Sequence, residues 1–253
     1  DDTVAVAKLF PKINKILTFS YSKKNNKRWS QEKDIIKSIH RKYDLSINLT
    51  ASDRSVFYAI LASKFSISAI ESNKNKSWWK KILLSRFYYF DTNKHILKNN
   101  LMPLKILNIK YDLVLDTPEI DYSDYKNFKR HLIENNIYDF FIFHPSAQYD
   151  YKIYPKNLRD ELLYLLNTLD IPIVVTGGNS DLDLRIKNEI PSLPNVYNYI
   201  GNTSLKDYLI LSKLSLAYIG MDTLNMHVAA SQSKRIFAIF GPTKVSMWSP
   251  WSN

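Results

Sequence analysis

Residues 220–227, Gly-Met-Asp-Thr-Leu-Asn-Met-His, put a carboxylate, a hydroxyl and an imidazole on one short turn, and the small apolar residues Val228-Ala229-Ala230 follow. A second turn, Phe240-Gly241-Pro242-Thr243, closes the next apolar run, Ile236 to Phe240. With the apolar run Leu214 to Ile219 in front, the order reads as strand, polar loop, helix, strand, polar loop. In open α/β sheets, loops at the carboxyl ends of strands line the ligand crevice. A helix that starts there presents unpaired N–H groups and a partial positive charge to anions. Two such loops in succession predict a site for a phosphorylated ligand. Thr223 can donate its hydroxyl, and Asp222 can accept from ligand hydroxyls or cap the helix that follows. His227 lies among Met226, Val228 and Ala229, so it reads more readily as a hydrogen-bonded packing residue than as a base.

The ordered set resembles the C-terminal signature of glycosyltransferase family 9, the ADP-heptose:lipopolysaccharide heptosyltransferases. Asp222, Thr223, His227, Ala229, Ala230 and Phe240 to Thr243 match it, whereas Leu224 stands where the family has Gly. The likeness is strong over residues 139–250 and weaker over 11–70. It implies an α/β protein of the GT-B arrangement, two Rossmann-like domains facing a cleft. Residues 1–137 would form the acceptor-side domain and 138–253 the nucleotide-sugar domain. It also implies transfer of a heptose, or a related sugar, from an ADP-activated donor to the inner core of lipopolysaccharide or lipooligosaccharide. The partners are then the nucleotide sugar, a lipid A–core acceptor and an anionic membrane surface, with no nucleic acid. The implied location is cytoplasmic, at the inner face of the bacterial inner membrane. Neither a cofactor nor a protein metal is required if lysine and helix termini supply the positive charge.

Residue by residue, the resemblance puts Lys152, just before Tyr154-Pro155, against the donor diphosphate. There an ammonium would neutralise the pyrophosphate as it leaves. Ser146 lies on the loop that approaches the phosphates, and Asp222 and Thr223 match positions for donor sugar and phosphate. Gly241 and Thr243 belong to the same donor set, with His227 and Leu224. Gly177-Gly178 end a strand, and the nearby Asp181 and Asp183 are candidates for the donor ribose hydroxyls, as a carboxylate is in dinucleotide sites. Two departures matter. A Cβ at Leu224 alters a place where backbone and phosphate would meet closely. No Gly-Asp dipeptide is present, although the family carries one after its first strand, with its Asp proposed to activate the acceptor. Asp53, which ends an N-terminal strand, is a substitute base or a helix cap, and Arg54 is a candidate contact for acceptor phosphate.

The elements that must hold these groups alternate. Strands are expected at 13–19, 44–50 and 64–70, with a further one at 111–115, and helices at 32–40 and 55–64. Residues 72–100 interleave Trp78, Trp79, Phe87, Tyr88 and Tyr89 with lysines on one helical segment. That composition suits a membrane interface or a helix packed on the sheet. A helix at 123–134 opens the crossing between halves. Strands follow at 139–143, 171–176, 196–199, 214–219 and 236–240, separated by helices at 157–169, 181–190 and 205–212.

Composition narrows the classes. With 45% hydrophobic residues the 253-residue chain can build a packed core, and without cysteine it has no disulfide, thiolate metal site or cysteine nucleophile. That absence fits a reducing cytoplasm. No apolar run is long enough to span a membrane, and no signal peptide is visible. The first residues, Asp1-Asp2-Thr3-Val4, read as the interior of a domain. Gly-x-Gly-x-x-Gly, Walker and His-Glu-x-x-His motifs are missing. Residues 1–110 carry 22 Lys/Arg against 8 Asp/Glu, and residues 111–253 carry 13 against 16. The first half therefore suits an anionic surface. Three alternatives stay open: a GT-B transferase with another donor such as a UDP-hexose, a non-catalytic nucleotide-sugar or membrane-binding remnant, and a nucleic-acid binder.

Overall fold

The computed structural model describes residues 4–10, 12–20, 23–113 and 115–251. Two compact units divide the chain, Asp1–Asp112 and Leu113–Asn253. The expected boundary near 137 is thus shifted. Residues 113–137 go with the second unit because helix Tyr122–Glu134 packs on helix Leu205–Leu214.

In the first unit, β1 (Tyr43–Asn48), β2 (Ser63–Ile70) and β3 (Arg86–Tyr89) form a parallel sheet in the order β1-β2-β3. The central strand is buried because Ile67, Ala69 and Ile70 pack on both faces: Ile70 meets Val56 and Leu84, while Ile67 and Ala69 meet Tyr88. Helix Asp53–Ala62 starts where the Ser52 side chain accepts from Ser55 N, and it returns the chain from β1 to β2. Three expectations fail here. Residues 13–19 form no strand; Ile13 and Leu17 stay exposed. Residues 111–113 and 115 form none either, and 114 lies outside the described residues. Residues 72–100 are not one helical segment but helix Lys74–Leu83, β3 and helix Ile96–Asn100. Aromatic side chains favour the pleated surface, and β3 pairs with β2 at Ala69↔Tyr88, which buries Tyr88 alone of its four residues.

The second unit is a five-stranded parallel sheet of β4 (Phe141–His144), β5 (Ile173–Val175), β6 (Val196–Asn198), β7 (Ala217–Met221) and β8 (Arg235–Ile239). Their spatial order is β6-β5-β4-β7-β8. One face of the sheet is closed by Phe143, Val175 and Ile219, which share a core with Leu163 and Ile186 of two crossover helices, Lys156–Asn167 and Asp181–Glu189. Every isoleucine or leucine buried this way contributes about 1.5–3 kcal/mol. The chain runs outward from β4 through β5 to β6, then jumps to the other side of β4 for β7 and β8. The order therefore reverses between β4 and β7, which makes that junction the switch point where crevices form. At this junction Gly220 faces His144. A Cβ on Gly220 would lie 2.4 Å from the His144 carbonyl oxygen, so β7 closes on β4 here only as glycine.

Candidate functional site

Three loops leave the carboxyl ends of the strands around the switch point. The loop after β4 begins His144-Pro145-Ser146. His144 is buried, with its Nδ1 3.0 Å from Thr176 Oγ1 beyond β5, and 3.0 Å from Asn225 Nδ2 at the second position of helix Leu224–Ser231. Burial pushes the ring down to about 4 against the pull of the Asp183 carboxylate, so it is neutral at pH 7. One uncharged imidazole thus ties together the ends of β4 and β5 and the start of the helix after β7.

Ser146 is buried and donates its hydroxyl to Asp183. Asp183 also accepts from the Ser180 hydroxyl, from Ser180 N at 3.1 Å and from Gly178 N, and it closes a capping box at the start of helix Asp181–Glu189. Its burial works against charge, yet these four donors outweigh that and hold the carboxyl below its ordinary range. A carboxylate has about four acceptor positions, and all are filled. This corrects the expectation for Asp183: it has no capacity left for ribose hydroxyls and serves as an anchor for Ser146. The Ser146 side chain is committed as well, which leaves the backbone of its loop to face a ligand. An added Cβ on Gly178 would meet an Asp183 oxygen at 2.9 Å, and one on Gly177 would be wedged between Ile200 at 3.1 Å and Asp183 at 3.2 Å. Asp181, by contrast, is exposed at the first position of its helix.

After β7, Asp222 is drawn to β8 through a backbone bond, N to Ile239 O at 3.2 Å, and its carboxylate lies 4.0 Å from His227 Nε2. Asp222 does not cap the following helix. Thr223 holds the N-cap position, and its side chain makes no capping bond. Its buried hydroxyl makes no well-formed hydrogen bond among the described residues, although it lies beside the Tyr218 hydroxyl and helps that phenol against burial; Tyr218 itself donates to Met221 O at 2.7 Å. The first N–H groups of helix Leu224–Ser231 are therefore free of side-chain caps, and they open at the switch point. Leu224, the first helical residue, is exposed.

The loop after β8 returns to the β4 loop. A Cβ on Gly241 would sit 3.7 Å from Lys152 Cα, so the Gly241 backbone rests against the short 3-10 turn Asp150–Lys152. Lys152 forms no ion pair among the described residues, while its neighbour Asp150 is paired with Arg185. Thr243 lies two residues beyond Gly241, half-buried.

The first-unit candidates sit in closed arrangements. Asp53 Oδ1 is 2.7 Å from Lys80 Nζ, which also reaches Glu71 Oε2 at 2.7 Å and donates to Ala51 O at 2.6 Å. The Lys80 side chain is 0% exposed. Burial alone would lower its pKa, but the two carboxylates outweigh burial and hold it above the ordinary lysine range. Asp53 is thus engaged as a counter-charge of the buried Lys80, and this pairing competes with any role as the substitute base. Arg54 is also engaged: its Nε lies 3.0 Å from Glu32 Oε1, and its guanidinium stacks 3.5 Å from the Phe19 ring centroid. Sequence reasoning missed Lys80, Glu71, Glu32, Thr176 and Asn225. A lone strand-ending His beside a switch point was the one available sign of the last two.

Among the described residues no cluster of three His, Asp or Glu side chains is arranged to hold a metal, and no helix is long and apolar enough to cross a membrane.

Residues 32–253 match the sequence model of glycosyltransferase family 9 (heptosyltransferase). The chain is 24% identical to a lipopolysaccharide heptosyltransferase 3 of Escherichia coli, over 100% of this chain and 76% of that protein. Its counterpart in strain K12 is 25% identical, over 99% and 74%. Among solved structures, the family 9 glycosyltransferase of Veillonella parvula superposes with a TM-score of 0.76 at 18% identity, over 97% of this chain and 72% of that one. The E. coli heptosyltransferase WaaC with ADP gives 0.72 at 15% identity, over 98% and 78%. The chain belongs to glycosyltransferase family 9, and it is a glycosyltransferase of the GT-B fold.

Proposed function

We propose that this protein transfers a heptose from an ADP-activated donor to the lipid-anchored inner core of lipopolysaccharide, working at an anionic membrane surface. The observation that carries the donor side is the uncapped start of helix Leu224–Ser231 at the switch point, with Lys152 free of ion pairs on the loop that meets Gly241. Free N–H groups and one mobile ammonium are what a diphosphate leaving group needs. In the proposed reaction an acceptor oxygen attacks the anomeric carbon as its proton passes to water. The bond from that carbon to the diphosphate oxygen breaks, and the electron pair leaves on ADP. The Lys152 ammonium and the helix amides bear the charge that develops. Asp222 orients donor hydroxyls, the exposed Asp181 is the candidate for the ribose, and the Thr223 hydroxyl turns to a phosphate oxygen. Gly241 and Thr243 border the same donor.

Two relatives are lipopolysaccharide heptosyltransferases, and one solved neighbour is described with ADP; both facts support this choice. The deciding experiment is turnover with a panel of sugar nucleotides and truncated lipid A–core acceptors. ADP-heptose should be the preferred donor, and release of sugar from UDP-hexoses alone would overturn the reading. A UDP-hexose donor is the second reading, and it is favoured by Leu224. A side chain at the first helical position, exposed where the family has glycine, changes the shape offered to the donor. Calorimetry with ADP and UDP separates the two.

A further inference from the structure

Helix Lys74–Leu83 is inside out. At 100° per residue Asn75, Trp78 and Ile82 share one face, with Ser77 and Lys80 opposite. Ser77 and Lys80 are buried, whereas Trp78 is 61% and Ile82 71% exposed, with Leu83 exposed beside them. The polar side is satisfied: Lys80 by Asp53, Glu71 and Ala51, and Ser77 by a bond from its hydroxyl to Glu71 O at 2.8 Å. Trp79 packs inward on Val56, Ile70 and Leu84, and with the polar side held as well, Trp78, Ile82 and Leu83 are left toward solvent. Lys81 carries the surface onward to β3, its Nζ 6.0 Å from the Phe87 ring and 5.4 Å from the Tyr89 ring, both outward-facing. Residues 72–90 hold five Lys/Arg and no Asp/Glu.

We infer that this face, Trp78, Ile82 and Leu83 with Lys76, Lys81 and Arg86, docks on an anionic lipid bilayer. Here the rings and aliphatic tips are accompanied along residues 72–90 by cations and no carboxylate, a charge pattern complementary to anionic headgroups. That pairing matches the acyl boundary and headgroup phosphates of a membrane interface. The inference deepens the proposed function by assigning the surface that meets the membrane, and it rests on that reading only for the lipid anchoring of the acceptor.

The test is co-sedimentation of the full chain with phosphatidylglycerol-containing vesicles and with phosphatidylcholine vesicles, at low and high salt. Binding to the anionic vesicles should fall with salt. It should also drop at least about tenfold in Trp78→Ser/Ile82→Ser and in Lys76→Glu/Lys81→Glu. Turnover of a delipidated, soluble acceptor should not change. Because the chain has no cysteine, a dye on Ile82→Cys gives a readout that does not need a tolerated double variant. Its emission should shift to the blue on anionic vesicles, while a dye on Leu165→Cys in the second unit should not respond. No vesicle binding, binding with a silent Ile82 reporter, or a dimer that Trp78→Ser disperses would each overturn the inference. Vesicle binding without transfer from any sugar nucleotide would sink the proposed function and leave this surface standing.

Discussion

The two units use the same parts, parallel strands and capped helices, but spend their charged residues differently. In the first, β1, β2 and β3 follow one another across the sheet, so the described strands contain no reversal and no crevice of the switch-point kind. Its candidate site charges are closed into pairs, Lys80 with Asp53 and Glu71, Arg54 with Glu32. In the second, the reversal at β4 and β7 gathers strand ends, and there the polar groups fall into two ranks. His144, Asp183 and Ser146 are tied to one another, to Asn225 and to Thr176, Ser180 and Gly178, whereas among the described residues the first amides of helix Leu224–Ser231 have no side-chain cap, the Thr223 hydroxyl makes no well-formed bond and Lys152 forms no ion pair. The saturated rank fixes the position of the open one. A carboxylate or hydroxyl near a candidate site is therefore informative only when its remaining bonding capacity is counted.

The sharpest way to break this contrast is Lys152→Ala. Removing this ammonium should cut transfer about 10²–10³-fold and leave the melting temperature unchanged. Turnover near that of the parent would place the diphosphate elsewhere. Next comes the first unit's buried pair. Asp53→Asn with Glu71→Gln leaves the Lys80 ammonium buried without a counter-charge and should cost about 3–5 kcal/mol in denaturant unfolding. Lys80→Met should cost less, about 2 kcal/mol, since the carboxylates left behind reach water. If the order were reversed, Lys80 would be held by packing rather than by its partners.

Acid should strike the second unit through His144. Its folded pKa, about 4, lies below the ordinary 6.5, so between those values the unfolded chain binds the extra proton. Stability is then fully present above pH 6.5 and is lost as pH falls toward 4, by roughly 3 kcal/mol. Asp183, whose pKa is also lowered, adds a loss only further down, below its unfolded value of 3.8. In His144→Gln the slope between pH 6.5 and 4 should flatten while the steeper limb below it survives. A parent-like slope in that variant would assign the acid sensitivity to another group.

Much of the second unit was legible because its strands are short, mostly apolar and punctuated by Gly, Pro or Ser, and the strands and helices expected over 123–240 lie within a few residues of their places. The first unit was harder. Residues 13–19 have strand-like alternation, but pairing depends on a neighbour that local sequence does not specify. In residues 82–90 apolar side chains occur at nearly every position, so neither period stands out, and β3 was hidden inside a helical reading. At the site, the loops and Lys152 could be read, but occupancy could not. Asp183 looks like a ribose ligand from its spacing to Gly178, and only the fold shows four donors already upon it. Lys80 likewise looks like one more surface lysine in a basic run, until its neighbours from residues 51, 53 and 71 are brought around it.

The smallest expected effect tests whether the first unit's closed pairs are closed in function too. Arg54 was a candidate for acceptor phosphate, yet its guanidinium is shared between Glu32 and the Phe19 ring, and Tyr58 accepts from its Nε at 3.1 Å. If that engagement persists during turnover, Arg54→Ala should lower stability by about 1 kcal/mol, the scale of a partly exposed pair with its stacking. The KM for the lipid-anchored acceptor should then stay within about twofold of the parent. Arg54→Lys restores the charge but not the planar stack, so it should recover little stability. A tenfold rise in acceptor KM, about 1.4 kcal/mol, with Arg54→Lys recovering part of it, would mean that Glu32 gives up its partner to substrate. The first unit would then hold an open group after all.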